Sequence, residues 1–71
     1  MDRPEELNDP KKFDDLMESI NTKLAIVSIP LGERAHMSLI LLSDELGYDM
    51  AEDDSVYPKV IEWYQKRFSG E

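Results

Sequence analysis

Between residues 13 and 27 the apolar side chains fall at three- and four-residue steps: Phe13, Leu16, Met17, Ile20, Leu24 and Val27. At about 100° per residue they share one sector roughly 100° wide, and Asp14, Asp15, Glu18, Asn21 and Thr22 lie outside it. This spacing suits one face of an α-helix and not a strand, whose side chains alternate with a period of two. Such a helix must hide its stripe, so the rest of the chain has to supply apolar surface to cover it.

The limits of this helix are also legible. Asp9 is a capping residue, and Pro10 suits the first helical position, where no backbone amide is needed. At the far end the residue before Pro30 resists helix. The spacing therefore predicts a helix over about 9–27. The β-branched content of residues 24–29 would also suit a short strand. Leu24 and Val27 stay on the helical stripe, which favours helix there.

A second helix is predicted over 31–46. Gly47 stands where a left-handed terminator belongs, with Tyr48 behind it to pack back on Leu42. This helix has two apolar sides. Leu31, Ala35, Leu39, Leu42 and Leu46 form one stripe, and Met37, Ile40 and Leu41 lie across from it among Glu33, Arg34 and Asp44. Either neighbouring helices cover it from both sides, or the smaller stripe is a seam for a second copy or a partner.

A third helix is predicted over 55–68, capped by Asp54 or Ser55, with Pro58 tolerated in its first turn. Its expected buried side is Val56, Val60, Ile61, Trp63, Tyr64 and Phe68, and Lys66 and Arg67 complement the dipole of its last turn. Residues 1–8 are expected as a flexible N-terminal arm and 69–71 as a tail. The predicted fold class is all-α: one small three-helix domain over 1–71, with an acidic loop between the second and third helices.

The totals sharpen this. A chain of 71 residues with no cysteine has neither disulfides nor thiolate metal sites to support a small core. Tight helix packing or oligomerisation must take their place. No apolar run approaches the roughly 20 residues of a membrane span, and the acidic start MDRPEELNDP lacks the apolar stretch of a signal peptide. A cytoplasmic location is expected. The net charge of −8 repels nucleic-acid phosphates and attracts basic protein surfaces. From Asp44 to Asp54 there are six acids (Asp44, Glu45, Asp49, Glu52, Asp53, Asp54) and no base.

Chemistry-bearing patterns are sparse. His36 and Ser43 lie two turns apart on one helix, roughly 10 Å, too far for a nucleophile and its base. Paired carboxylates such as Asp14–Asp15 and Asp53–Asp54 lack the cleft that acid–base catalysis needs. An EF-hand loop begun at Asp49 would put Asp54 where glycine is required and Val60 where glutamate is required. No enzyme activity, cofactor or metal is expected. A divergent helix-turn-helix would use Lys59, Lys66 and Arg67 as phosphate contacts, but the segment 48–54 is longer than the three or four residues that motif uses.

The sequence thus points to a small acidic protein-binding module, expected as a homodimer, that occludes or regulates a partner with a basic surface. One form of this is an inhibitor of a nucleic-acid-binding protein. The expected interface comprises Met37, Ile40 and Leu41 with Arg34, joined by Trp63 and Tyr57 where exposed. The expected acidic rim comprises Asp49, Glu52, Asp53 and Asp54. The alternatives are the divergent helix-turn-helix regulator and a structural or assembly subunit.

Overall fold

The structure, a computed structural model, describes residues 3–50 and 53–69. A short 3-10 turn over Glu5–Leu7 precedes three helices: α1 (Pro10–Ile26), α2 (Leu31–Leu46) and α3 (Val56–Phe68). The described residues contain no strand. The all-α three-helix architecture and the three predicted spans are therefore present, and residues 24–26 are helix.

Local chemistry explains each boundary. The Asp9 carboxylate accepts the amides of Lys11 and Lys12 at 3.0 and 3.3 Å, and Pro10 opens the helix. At the other end of α1 the amide of Ser28 bonds the Ala25 carbonyl, and that of Ile29 bonds the Leu24 carbonyl. This is a Schellman closure, and it puts Ser28 in the left-handed region at φ 64°. α2 closes the same way with a better-suited residue: Gly47 has φ 61°, and Tyr48 N–H bonds the Ser43 carbonyl. The start of α3 differs from expectation. Ser55 is the capping position but its side chain makes no cap bond. Instead Asp53 accepts both the Ser55 amide at 3.1 Å and the Ser55 hydroxyl at 2.6 Å.

Contacts between helices set the topology. Trp63 meets Asp14 and Arg67 meets Glu18, so α3 runs parallel to α1. α2 returns antiparallel between them and packs against both more extensively than they pack against each other. The α1–α2 turn and the end of α3 therefore lie at one end of a body 35 Å long. The N-terminal turn and the α2–α3 connection lie at the other.

The core is built from Phe13, Met17, Ile20 and Leu24 of α1, Leu42 of α2, and Val56, Val60 and Trp63 of α3. Leu7 joins them and is fully buried. Part of the expected arm, of which residues 1–2 lie outside the described residues, is thus built into the fold: the turn over Glu5–Leu7 plugs the open end of the α1–α3 seam. Its backbone is tied down by the Lys59 ammonium on the Leu7 carbonyl. The reason is composition within the segment: one leucine among polar residues carries no periodicity, yet fully burying it is worth about 1.5–3 kcal/mol. Phe68, expected inside, is half-exposed and stacks on Tyr64 with ring centroids 5.8 Å apart.

Candidate docking groove on the second helix

The two apolar sides of α2 resolve once its neighbours are in place. Ser38 and Leu42 are its fully buried positions. Ala35, Leu39 and Leu46 flank that line on one side, Met37 and Leu41 on the other, and all five are partly buried against the core. The apparent second stripe is therefore divided. Met37 and Leu41 help cover the core, because α2 is the central helix and presents a wide sector to α1 and α3. Ile40 alone of the three points away, with half its surface exposed. Ser38 at the centre is satisfied by the Tyr64 hydroxyl at 3.0 Å.

Ile40 is not isolated. A shallow groove of about 760 Å³ runs along the outer face of α2 toward the α2–α3 connection. Leu39, Ile40 and Met50 give it an apolar floor, and His36, Asp44 and Asp49 stand at its edge. Gly47 lies in its wall, where the left-handed turn sends the chain back along the helix. Local folding thus brings together two expected features, the apolar anchor Ile40 and the acid Asp49. It adds residues that the sequence reading did not place at the interface or its rim: His36, Leu39, Asp44 and Met50. Only the turn at Gly47 puts Met50 beside Leu39 and Ile40, so no helical periodicity reveals it.

The other expected interface residues have structural work. Trp63 is 9% exposed, and its indole N–H donates to Asp14 at 2.8 Å; it is a core residue. Arg34 is half-buried, with Nε on the Ile29 carbonyl at 2.9 Å and a terminal nitrogen on Asn21 at 3.3 Å. It fastens the α1–α2 turn. Tyr57 is exposed, on the first turn of α3.

The expected acidic rim divides likewise. Asp54 is exposed, Asp49 is exposed at the groove, and Glu52 lies outside the described residues. Asp53 is mostly covered, its side chain 10% exposed. It takes the Ser55 bonds described above, the Tyr48 hydroxyl at 3.0 Å, and Arg3 at 3.4 Å. The Ser55 hydroxyl, with the Tyr48 hydroxyl and Ser55 amide behind it, holds the Asp53 carboxyl below the ordinary carboxylate range. The same contact pushes the Tyr48 phenol up, because its proton is held on the carboxylate. Asp53 is therefore a clasp between Arg3, Tyr48 and α3.

A second hollow, of about 330 Å³, lies between the N-terminal turn, α1 and α3, with Phe13 and Trp63 inside it. Its polar groups bond to one another: Trp63 to Asp14, Lys59 to the Leu7 carbonyl, Lys66 to Glu62 at 3.6 Å. It reads as a seam of the fold. The three cations of α3 proposed for phosphate contact are engaged in the same way, Arg67 with Glu18 at 3.1 Å. Among the described residues no three His, Asp or Glu side chains gather as a metal site, and no helix is long and apolar enough to cross a membrane. Comparison with protein-family models, curated proteins and solved structures gave no match.

Proposed function

We propose that this chain is a cytoplasmic protein-binding module, and not an enzyme, whose α2 groove takes up a basic, apolar segment of another protein and occludes it. The observation that carries this reading is the half-exposed Ile40 on an apolar floor with Leu39 and Met50, edged by Asp44 and Asp49. A single exposed aliphatic residue is ordinary, but one that adjoins further apolar surface and is flanked by charge has the make-up of a docking site. The chemistry of the edge selects the partner. Lysine or arginine flanking one or two aliphatic anchors would meet both floor and rim, as an amphipathic helix meets a groove. The net charge of −8 adds long-range steering toward such a segment. Where the segment belongs to a nucleic-acid-binding surface, docking blocks that surface and the module acts as an inhibitor or regulator.

The DNA-binding alternative has less support, because Lys59, Lys66 and Arg67 all have internal partners. An assembly subunit would need the floor of the groove but not its acidic edge, so reversing Asp44 separates that reading from ours.

The test uses a synthetic amphipathic peptide with one leucine face and one lysine face, titrated against the isotope-labelled protein. Amide shifts should concentrate in residues 36–50. They should vanish in Ile40→Asp, weaken in Asp44→Lys, and weaken as salt rises. No shift at about 1 mM peptide, where even a weak site of −4 kcal/mol would be half filled, would sink the reading. Equal shifts in Ile40→Asp would sink it too.

A further inference from the structure

The N-terminal turn is held by few ties, and each goes to a different element. Leu7 lies in the α1–α3 seam, and its carbonyl accepts the Lys59 ammonium of α3. Glu5 pairs with Lys12 of α1 at 2.7 Å, and Arg3 pairs with Asp53 of the α2–α3 connection at 3.4 Å. Burying one leucine stabilises the turn by less than ordering residues 3–9 costs, so closure depends on the polar ties. The Lys12–Glu5 pair is open to solvent, with side chains 48% and 74% exposed, and contributes little. Arg3–Asp53 is the more covered pair, at 31% and 10%. Asp53 is itself built into the connection. Its carboxylate accepts the Tyr48 hydroxyl and both the amide and hydroxyl of Ser55, and its own amide bonds the Met50 carbonyl at 3.2 Å. The Tyr48 carbonyl in turn accepts the Ser43 hydroxyl at 2.7 Å. A continuous set of bonds thus runs from Arg3 to the end of α2.

We infer that residues 3–9 are a strap that opens and closes as one unit with the Tyr48–Asp53–Ser55 clasp, the Arg3–Asp53 pair being its latch. Tyr48 and Ser55 fix the Asp53 carboxylate where Arg3 meets it, so a loosened clasp loses the acceptor. A strap that leaves removes the cation that offsets a mostly covered carboxylate. Each piece therefore favours the closed form of the other, and the coupling is reciprocal. The three helices keep their own backbone bonds while the unit is open, so the opening is local. It takes Leu7 out of the wall of the hollow that also holds Phe13 and Trp63, and lets water into the α1–α3 seam. It also releases the Met50 carbonyl, and Met50 is part of the floor of the α2 groove. One local opening thus alters two separate hollows. The coupling does not depend on what occupies either of them.

The experiment is amide hydrogen exchange on the full chain, for wild type, Tyr48→Phe and Pro4→Gly. Circular dichroism checks that both variants stay folded. The reporters are the amides of Leu7, Asn8 and Asp9, which bond the Pro4 and Glu5 carbonyls, and those of Asp53 and Ser55, which bond within the clasp. In wild type all five should share one opening constant, larger than that of the helix-core amides of Ile20 and Leu42. Tyr48→Phe removes a hydroxyl that bonds Asp53 and no residue of the strap. It should nevertheless speed exchange at Leu7, Asn8 and Asp9 by the same factor as at Asp53 and Ser55, about two- to tenfold. Pro4, at φ −60°, makes no bond to the clasp, and glycine there gives the open strap more freedom. Pro4→Gly should speed exchange at Asp53 and Ser55 as much as at Leu7, Asn8 and Asp9, about two- to fivefold. Strap amides as protected as Ile20 and Leu42 in wild type would show that no local opening exists. A Tyr48→Phe effect confined to Asp53 and Ser55, or a Pro4→Gly effect confined to Leu7, Asn8 and Asp9, would show two independent pieces. Any one of these results would overturn the inference.

Discussion

The two ends of this bundle solve the same problem in opposite ways. At the end that holds the N-terminal turn and the α2–α3 connection, the seam between the helices is closed by a buried leucine and polar groups bind one another. Leu7 fills the seam, Lys59 holds its carbonyl, and Asp53 joins Arg3, Tyr48 and Ser55. At the α1–α2 turn the arrangement is reversed. A polar staple, Arg34 on Asn21 and Ile29, lies underneath, and Ile26, Val27 and Leu31 face solvent. Both ends are well-closed helix termini. The difference lies in what sits at each terminus: a buried leucine beside a polar clasp at one, and a polar staple beneath exposed apolar residues at the other.

Substitutions can break or sharpen that contrast. The largest effect is expected for Leu7→Ala, which should cost about 2–5 kcal/mol in urea or thermal unfolding, as for any fully buried leucine. Its counterpart Ile26→Ser should change stability by no more than about 0.5 kcal/mol. Equal costs at both positions would erase the distinction. Arg34→Ala should come next, at about 1–3 kcal/mol, since it strips a charged donor from the Ile29 carbonyl and from the buried Asn21. Chemical denaturation would measure it, and hydrogen exchange should place the loosening at residues 24–31. Smaller and opposite in sign, Ser28→Gly should stabilise by about 0.5–1 kcal/mol, because glycine takes φ 64° without the clash that serine suffers.

The clasp beside the buried leucine answers to pH. The folded-state pKa of Asp53 is lowered, so its contribution is fully present above the unfolded carboxylate value of about 3.9 and is lost as pH falls through the folded value. Asp53→Asn should therefore flatten the acid limb of the stability profile while leaving the profile's shape above pH 5 unchanged. An acid limb as steep as that of wild type would show that the clasp contributes nothing to linkage. Because Asp53 belongs to this clasp, its reversal is a poor probe of partner binding; Asp44, at the groove edge, is the better one.

Most of the helical framework could be read from the chain. The stripe from Phe13 to Leu24, the Asp9–Pro10 start and the Gly47 stop each rest on interactions within one or two turns, and each stands where the spacing put it; Val27, expected as the last residue of that stripe, is instead the exposed cap of α1, because the chain turns away there. The site was read less well. Met37, Ile40 and Leu41 look alike on a helical wheel, yet two help cover the core and one does not. Trp63 has the composition of a binding hot spot but is held inward by Asp14, which lies 49 positions away. Asp53 looks like one acid among six, and only the returning Tyr48 and the N-terminal Arg3 make it a clasp.

Sequence alone determined what depends on neighbours along the chain: three helices, the Asp9 cap of α1 and the Gly47 stop of α2, most of the apolar sectors, the absence of disulfide support and a strongly acidic composition. Periodicity and capping are short-range, so they survive without knowledge of the rest of the fold. Only the tertiary structure decided which edge of α2 was covered, that Leu7 belonged to the core, that Met50 joined Leu39 and Ile40, and that Ile26, Val27 and Leu31 were left exposed at the α1–α2 turn. Each of these is set by how three helices share one small core, and burial is a property of that packing and not of any residue's own segment.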